Sequence, residues 1–288
     1  MGFVEDPGSF LGVACPEDEA RVAILPVPYA GTVSYGTGTD KGPAAIIAAS
    51  SQVELYEARL CAEPYKTGIA TLAPIDVSGT DRQVCSRVEA EIGRILDRGM
   101  APMMLGGEHS ITSGAVKAAL QRFPDLSVLH LDAHLDLRDE YQGSPFSHAC
   151  VMRRVRELGV PIVSLGVRSG SAEEWELAAT GKGIAVCPRW SMDDLGFEQA
   201  VAGLGDTVYV TLDVDVMDPA VIPATGTPEP DGLSYAEVVE ILLGLTGKRV
   251  VGMDIVELAP VDGLHAPQFT CASLAHTAIG LFWPPATD

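Results

Sequence analysis

Three short strings of this chain place acidic residues and histidines where hydrophobic stretches end. They are Gly106-Gly107-Glu108-His109, Asp132-Ala133-His134-Leu135-Asp136 and Asp213-Val214-Asp215. An unpaired carboxylate beside a buried strand costs several kcal/mol, so an acid cluster there requires a cation or a hydrogen-bond network that compensates the charge. The spacing favours the cation, and the strings predict a metal site assembled from three parts of the chain.

The candidate ligands are two imidazoles and four carboxylates, without a thiolate. Side chains alternate between faces in an extended segment, so the members of one string should project from the same side. Oxygen-rich ligation suits Mn²⁺ better than a structural Zn²⁺, which usually takes cysteines. Six ligands are too many for one zinc, so we predict two divalent ions about 3.5–4 Å apart. The predicted ligands are His109, Asp132, His134, Asp136, Asp213 and Asp215.

The elements that would position these strings follow a regular rhythm. The hydrophobic stretches before the strings are typical of strands buried on both faces of a sheet. Further strands are predicted over Arg21 to Val27, Ile162 to Gly166, Ile184 to Cys187 and Arg249 to Val256. Helices are predicted over Pro43 to Leu60, Asp81 to Arg98, Ala172 to Ala179, Ser234 to Leu245 and Thr270 to Phe282. This alternation predicts the α/β class, with a parallel sheet covered by helices and ligands at the carboxyl ends of its strands.

Composition narrows the function classes. The chain has 288 residues, of which 47% are hydrophobic and 20% charged, and we expect one domain over residues 1–288, with residues 1–20 as an N-terminal extension. The formal charge of −20 disfavours nucleic acid and anionic membranes as partners and favours small cationic substrates. No bilayer-spanning apolar stretch or signal peptide is apparent, so we expect a cytoplasmic protein. The six cysteines are scattered, which argues against a zinc ribbon or a disulfide scaffold.

Together with further motifs, the three strings resemble the ureohydrolase family, which includes agmatinases and arginases. The other motifs are SHA at 147–149, LDVDVMDPA at 212–220, ATGTPEP at 224–230 and DIVELAP at 254–260. The resemblance extends from about Val22 to Trp283. It implies that the six candidate ligands hold two Mn²⁺ per subunit, although another divalent metal is possible. It also implies an arginase-like three-layer α/β/α fold with a central, mainly parallel sheet, and a homotrimer or homohexamer.

The chemistry implied by this resemblance explains two metals. A guanidinium is delocalised and protonated at physiological pH, so it is a poor electrophile. Two divalent ions can lower the pKa of a bridging water towards about 7 and so supply hydroxide at neutral pH. Our hypothesis is that Asp136 ligates and orients this hydroxide, and that Glu257 pairs with the guanidinium through charge-assisted hydrogen bonds. His148 is the candidate that protonates the leaving amine.

The identity of the guanidine depends on loops. Arg138, and Ser169 and Ser171 after Gly166-Val167-Arg168, depart from the arginase pattern. Residues 136–141 and 147–150 are similar to those of bacterial and archaeal agmatinases, so agmatine, hydrolysed to putrescine and urea, is the first prediction. N1-aminopropylagmatine, a guanidino acid and arginine stay open as substrates. More distant alternatives are a deacetylase-like amidohydrolase with a single zinc and a catalytically silent metal-binding scaffold.

Overall fold

The computed structural model describes residues 4–192 and 194–285. A short antiparallel ribbon, β1 (Val4–Glu5) and β2 (Val13–Ala14), precedes the central sheet. The sheet contains, in chain order, β3 (Val22–Val27), β4 (Ile69–Thr71), β5 (Ala101–Gly106), β6 (Leu126–Leu131), β7 (Ile162–Leu165), β8 (Ile184–Cys187), β9 (Thr207–Asp213) and β10 (Arg249–Val256).

The spatial order of these eight strands is β4-β3-β5-β10-β9-β6-β7-β8. Every pairing between neighbours is parallel, which confirms the predicted sheet. Because the strands run in one direction, their carboxyl ends meet along a single edge of the sheet. The four middle strands, β5, β10, β9 and β6, therefore bring distant parts of the chain together at that edge.

Helices cover both faces of the sheet. They are α1 (Gly42–Ser50), α2 (Asp81–Asp97), α3 (Thr112–Arg122), α4 (Val151–Glu157), α5 (Ala172–Thr180), α6 (Asp194–Ala202), α7 (Tyr235–Leu243) and α8 (Ala266–Phe282). Helices α1, α6, α7 and α8 pack into the core on one face, whereas α2 to α5 pack on the other. The result is the three-layer α/β/α arrangement that the family resemblance implies.

Period-two alternation divides the strand side chains between two cores. Ile24 and Met103 are buried on the α1 and α8 side, whereas their neighbours Leu25 and Met104 are buried on the α2 and α3 side. Successive side chains of a strand point to opposite faces, so a strand covered on both sides must be hydrophobic throughout. This requirement accounts for the continuous hydrophobic stretches in the sequence.

Two predicted helix ends differ from the structure, and two elements lie outside the sequence-based prediction. The helix predicted from Pro43 to Leu60 ends at Ser50. The hydroxyls of Ser50 and Ser51 donate to the carbonyl oxygens three residues earlier, which competes with continuation of the helix. The last helix begins at Ala266 rather than Thr270, with Pro267 in its first turn. The sequence pattern predicts neither strand β4, which has only three residues, nor helix α6.

None of the helices in the described part of the chain is both long and apolar enough to cross a bilayer.

Candidate metal centre and active site

The predicted site residues lie at the carboxyl edge of the four middle strands. His109 begins the 3-10 turn that follows β5, and Glu257 follows β10 directly. Asp213 is the last residue of β9, and Asp215 lies in the 3-10 turn after it. The loop after β6 carries Asp132, His134 and Asp136, and His148 begins a 3-10 turn before α4.

Period-two alternation is not what brings the acids of one string together, and that part of the prediction is wrong. Strand β6 ends at Leu131, before its string begins, and β9 ends at Asp213. The carboxylates instead cap tight turns. Asp132 Oδ1 accepts a hydrogen bond from the backbone N–H of His134 over 2.5 Å, and Asp213 Oδ1 accepts one from Asp215 N over 2.9 Å. Each turn curls the following ligand back towards the first.

Two site residues adopt backbone conformations that L-amino acids avoid. Asp136 has φ +52° and Glu257 has φ +69°. Non-glycine residues in this region cost of order 1–3 kcal/mol and persist where the surrounding structure demands them. Gly107 has a related role, because a Cβ there would lie 2.0 Å from the carbonyl oxygen of Tyr29. Gly107 thus lets the Glu108-His109 segment pack directly against the loop after β3.

His109 faces three carboxylates through one ring nitrogen. Its buried Nδ1 lies 3.0 Å from Asp132 Oδ2, 3.3 Å from Asp136 Oδ2 and 3.4 Å from Asp213 Oδ2. Nevertheless Nδ1 makes no hydrogen bond of acceptable geometry among the described residues. A buried imidazole nitrogen without a hydrogen-bond partner, ringed by carboxylate oxygens, is the donor arrangement of a metal site.

The other ring nitrogen of His109 explains why Nδ1 can act as a ligand. Nε2 lies 2.8 Å from Thr211 Oγ1, and the Thr211 hydroxyl donates to Asp254 Oδ1 over 2.6 Å. The Thr211 hydroxyl has one hydrogen, and it donates that hydrogen to Asp254. It can therefore only accept a hydrogen bond from His109, so Nε2 carries a ring proton. When a cation takes the place of a second ring proton, the Nδ1 lone pair faces it among the carboxylates, as in many metal-ligating histidines held by outer hydrogen bonds.

A second group of potential ligands shares Asp132 with the first. His134 Nδ1 lies 3.0 Å from Asp215 Oδ2 and 3.4 Å from Asp132 Oδ1. Its other nitrogen, Nε2, lies 3.7 Å from Glu229 Oε1. Two groups of potential ligand atoms, each within 4.8 Å, meet at this one carboxylate: His109, His130, Asp132 and Asp136, and Asp132, His134 and Asp215. This division fits a pair of ions better than a single one.

His130 belongs to the first group by distance, but both of its nitrogens have protein partners. Nε2 lies 2.8 Å from Asp132 Oδ2 and Nδ1 lies 3.0 Å from Ser164 Oγ. The ring is completely buried. This arrangement favours a histidine that orients the Asp132 carboxylate over one that binds the ion itself.

The electrostatics of the cluster also favour a cation. Burial and the charges of Asp215 and Asp132 raise the pKa of Asp213 well above its usual value. Burial and the charge of Asp132 raise the pKa of Asp136. Burial alone would lower the pKa of His109, but the surrounding carboxylates outweigh it and hold that pKa well above the usual value. A divalent cation relieves this repulsion, so the donor set and its charge both fit a metal centre.

A cavity of about 150 Å³ opens beside the carboxylate cluster. Six of the predicted site residues line it: His109, His134, Asp136, His148, Asp213 and Glu257. Ser34, Arg138 and Tyr141 also contribute to its wall. The Arg138 guanidinium lies 5.2 Å from the centre of the Tyr141 ring and its Nε lies 3.5 Å from Glu174 Oε2. The cavity has room for a small planar group, and a longer ligand must extend beyond it.

Glu257 is a further buried carboxylate that lines this cavity. Its Oε1 accepts a hydrogen bond from the backbone N–H of His109 over 2.7 Å, and its own N–H donates to the carbonyl oxygen of Gly107. Burial and the nearby charge of Glu108 raise its pKa well above the usual value. A cationic ligand would stabilise the ionised form.

Arg168 is a structural residue of the site that sequence reasoning did not identify. Its guanidinium donates to five backbone carbonyl oxygens, those of Gly166, Asp215, Val216, Glu229 and Pro230. The side chain therefore ties the turn that carries Asp215 to the loop that carries Glu229. Its place in the Gly-Val-Arg string was visible, but the partner carbonyls lie 47 to 62 residues away, apart from that of Gly166.

Comparison with known proteins gives consistent relatives. The model of the Arginase family matches residues 20–280. An N(1)-aminopropylagmatine ureohydrolase of Thermus thermophilus is 40% identical over 270 residues, covering 92% of each chain. An agmatinase of Pyrococcus horikoshii is 38% identical over 268 residues and covers 91% of this chain and 92% of its own.

A solved structure shares the architecture as well as the sequence. The agmatine ureohydrolase of Thermoplasma volcanium superposes with a TM-score of 0.85 at 33% sequence identity. The match covers 92% of this chain and 90% of the other. The similarity therefore extends over most of both chains.

Proposed function

The chain belongs to the Arginase family and is a hydrolase of the ureohydrolase type, and we propose that it hydrolyses the guanidino group of agmatine to putrescine and urea. One observation carries the proposal. The Glu257 carboxylate and the proposed metal ligands His109, Asp136 and Asp213 line the same 150 Å³ cavity. A planar cation that pairs with Glu257 would thus present its carbon to the metal side of the cavity.

The proposed roles follow from these positions. Glu257 holds the guanidinium through charge-assisted hydrogen bonds, and the N–H of His109 keeps its carboxylate oriented. Two divalent ions, for which we propose Mn²⁺, would supply hydroxide at neutral pH. We assign the ions to His109, Asp132, His134, Asp136, Asp213 and Asp215. Asp136, with its constrained backbone, also orients the nucleophile, and His148 protonates the leaving amine.

A specific observation favours N1-aminopropylagmatine as a second candidate. The relative from Thermus thermophilus that bears this name is 40% identical over nearly the full chain. The cavity is small beside the 300–1,000 Å³ of usual ligand pockets, so it accommodates the guanidinium while the tail leaves past Ser34, Arg138 and Tyr141. A longer cationic tail would lie outside it, where the protein's formal charge of −20 attracts cations.

The test is urea release by Mn²⁺-reconstituted protein supplied in parallel with agmatine, N1-aminopropylagmatine, arginine and guanidinobutyrate. We expect the highest kcat/KM for agmatine, since discrimination between substrates is the ratio of these constants. A higher value for the aminopropyl compound would establish the second candidate instead. A kcat/KM for arginine comparable to that for agmatine would contradict agmatine as the preferred substrate. Amide hydrolysis without urea release would refute guanidine hydrolysis itself.

We further propose that residues 1–288 form one domain that assembles as a homotrimer or homohexamer. Phe10, within the predicted N-terminal extension, is fully buried in the core, which supports the single domain. Sedimentation equilibrium of the full chain would measure the assembly, and a monomer would contradict it.

A further inference from the structure

A buried carboxylate is connected to His148 through a single threonine. Glu108 is fully buried. Its Oε1 accepts from the hydroxyl of Thr32 over 2.6 Å and from Ser110 Oγ over 2.5 Å, while Oε2 accepts from the backbone N–H of Thr32 over 2.6 Å. On its other side, Thr32 Oγ1 lies 3.2 Å from His148 Nδ1 and accepts from the backbone N–H of His148 over 3.0 Å.

The direction of these hydrogen bonds determines the state of the imidazole. A threonine hydroxyl can donate only one hydrogen bond, and here Thr32 donates it to Glu108. Thr32 Oγ1 can then only accept from His148, so Nδ1 must carry the ring proton to form that bond. Ser147 Oγ, 3.4 Å from Nδ1, is a weaker second neighbour. Nε2 is left with its lone pair, 3.5 Å from the exposed Ser34 Oγ.

We propose that Glu108 and Thr32 are positioning residues that hold His148 in the Nδ1–H tautomer, so that Nε2 alone exchanges protons with the ligand in the cavity. The tautomer stands on the hydrogen bonds alone, whereas its catalytic consequence rests on the proposed function. In its acid form the ring carries a proton on both nitrogens. As the bond between the guanidino carbon and the tail nitrogen breaks, the electron pair stays on that nitrogen and the Nε2 proton of this imidazolium passes to it. Nδ1 keeps its proton, and Nε2 regains one from water.

Glu108→Gln makes a sharp test because it should reverse the tautomer. The Thr32 backbone N–H always donates, so the amide oxygen of a glutamine must face it. The amide NH₂ then faces Thr32 Oγ1 and donates to it. The hydroxyl is forced to turn its proton towards His148 Nδ1, which can accept only when the ring proton is on Nε2.

The tautomer can be read directly because the chain has only six histidines. We would record ¹⁵N spectra of the full chain labelled at histidine and loaded with Mg²⁺, which unlike Mn²⁺ is diamagnetic, at alkaline pH. His148→Gln identifies the His148 signals by their loss. We expect a protonated Nδ1 in the wild type and in Thr32→Ser, a protonated Nε2 in Glu108→Gln, and a mixture in Thr32→Val.

Activity and a matched control complete the experiment. With Mn²⁺, kcat should fall by about 10–100-fold in Thr32→Val and Glu108→Gln, while KM changes little. Thr32→Ser keeps the hydroxyl and should retain the wild-type kcat. Thr39→Val makes the same change in the same connection between β3 and α1, and the buried Thr39 hydroxyl has no hydrogen-bond partner among the described residues. This control should match the wild type in both measurements.

The two proposals fail separately. Wild-type tautomers in both Glu108→Gln and Thr32→Val would overturn the positioning role, whatever the activity. The expected tautomer changes with wild-type kcat in both variants would overturn its catalytic consequence. If the tautomers change as expected but the wild type releases no urea from any guanidine, the positioning stands and the proposed function fails. The two variants remove different groups, so misfolding of one leaves the other as the test.

Discussion

Glu257 Oε1 accepts a hydrogen bond from the backbone N–H of His109 over 2.7 Å. The two residues are 148 positions apart in the chain and follow the neighbouring strands β10 and β5. This bond fixes the proposed guanidinium anchor to the backbone of a proposed metal ligand. The distance between the bound cation and the metal side of the cavity is thereby set by two packed strands rather than by a flexible loop.

Replacing Glu257 by glutamine should lower kcat/KM without lowering the stability of the fold. The variant loses a charge-assisted hydrogen bond, typically about 1.5–3 kcal/mol, so kcat/KM should fall by about 10–150-fold. Burial raises the pKa of this carboxyl, so its ionised form is unfavourable in the free protein and the melting temperature should not decrease. Steady-state urea release and thermal unfolding measure the two effects. Glu140→Gln, an equal charge change at an exposed residue, is the control, and equal kcat/KM in both variants would contradict the anchor.

Removing the Thr211 hydroxyl should weaken metal binding. Thr211→Val takes away the acceptor that holds the ring proton of His109 on Nε2, and such outer partners are typically worth about 10–100-fold in metal affinity. Thr211→Ser keeps the hydroxyl and should retain the wild-type metal affinity. Competition titration with a fluorescent chelator measures the affinity.

Thr112→Val is the matched control for this experiment. Thr112 also donates to the Asp254 carboxylate, over 3.0 Å, and no hydrogen bond joins its hydroxyl to His109 in the described structure. Both variants deprive the same buried carboxylate of one donor, so both should lose about 1–3 kcal/mol of stability. Only Thr211→Val should lose metal affinity. An equal loss of affinity in both would mean that the hydroxyl acts through general stability alone.

These threonines mark the limit of prediction from the sequence. Asp213 and Asp132 stood out because an acid at the end of a hydrophobic stretch is a local anomaly, visible within ten residues. The hydroxyls of Thr211 and Thr32 carry no such signal, and their partners lie 102 and 76 residues away. The parallel sheet followed from strand and helix rhythm. The position at which α1 ends could not be predicted from this rhythm, because it depends on two serine hydroxyls that compete with continuation of the helix.

Metal loading should stabilise the fold with a stoichiometry of two ions per chain. An ion that binds only the folded state adds about 2.7 kcal/mol at a hundredfold excess over its Kd. For a chain of this size, each kcal/mol corresponds to about 2 °C, so Mn²⁺ should raise the melting temperature of chelator-treated protein by about 5 °C or more. Elemental analysis after gel filtration counts the ions. One tightly bound Zn²⁺ would support the single-zinc alternative.

Stability should fall in mild acid through His276. Burial lowers the pKa of this imidazole, although the charge of Glu57 and the carbonyl of Leu55 oppose the effect. Below about pH 6.5 the unfolded chain therefore takes up a proton that the folded chain refuses, and the free energy of unfolding decreases until the folded form also binds it. The free energy of unfolding should therefore be lower at pH 5 than at pH 7.

Urea unfolding at the two pH values measures this loss. His276→Gln should show a smaller decrease than the wild type, because its amide does not titrate. His265→Gln, at an exposed histidine, should keep the full decrease. If His276→Gln loses as much stability as the wild type, acid sensitivity arises elsewhere, and the carboxylate cluster becomes the next group to test.

Arg168→Lys should damage the metal centre although it preserves the charge. A planar guanidinium can donate to several carbonyl oxygens at once, whereas a lysine has a single nitrogen and cannot span the acceptors from Gly166 to Pro230. We expect a loss of about 2 kcal/mol in stability and weaker metal binding, because the turn that carries Asp215 loses its tie to the 229–230 loop. Arg189→Lys is the control, since Arg189 donates to the carbonyl of Gly232 near the same loop but to none of the metal-ligand turns. If Arg168→Lys lowers stability but leaves the Mn²⁺ affinity at the wild-type value, the hydrogen bonds of Arg168 stabilise the loops without positioning Asp215.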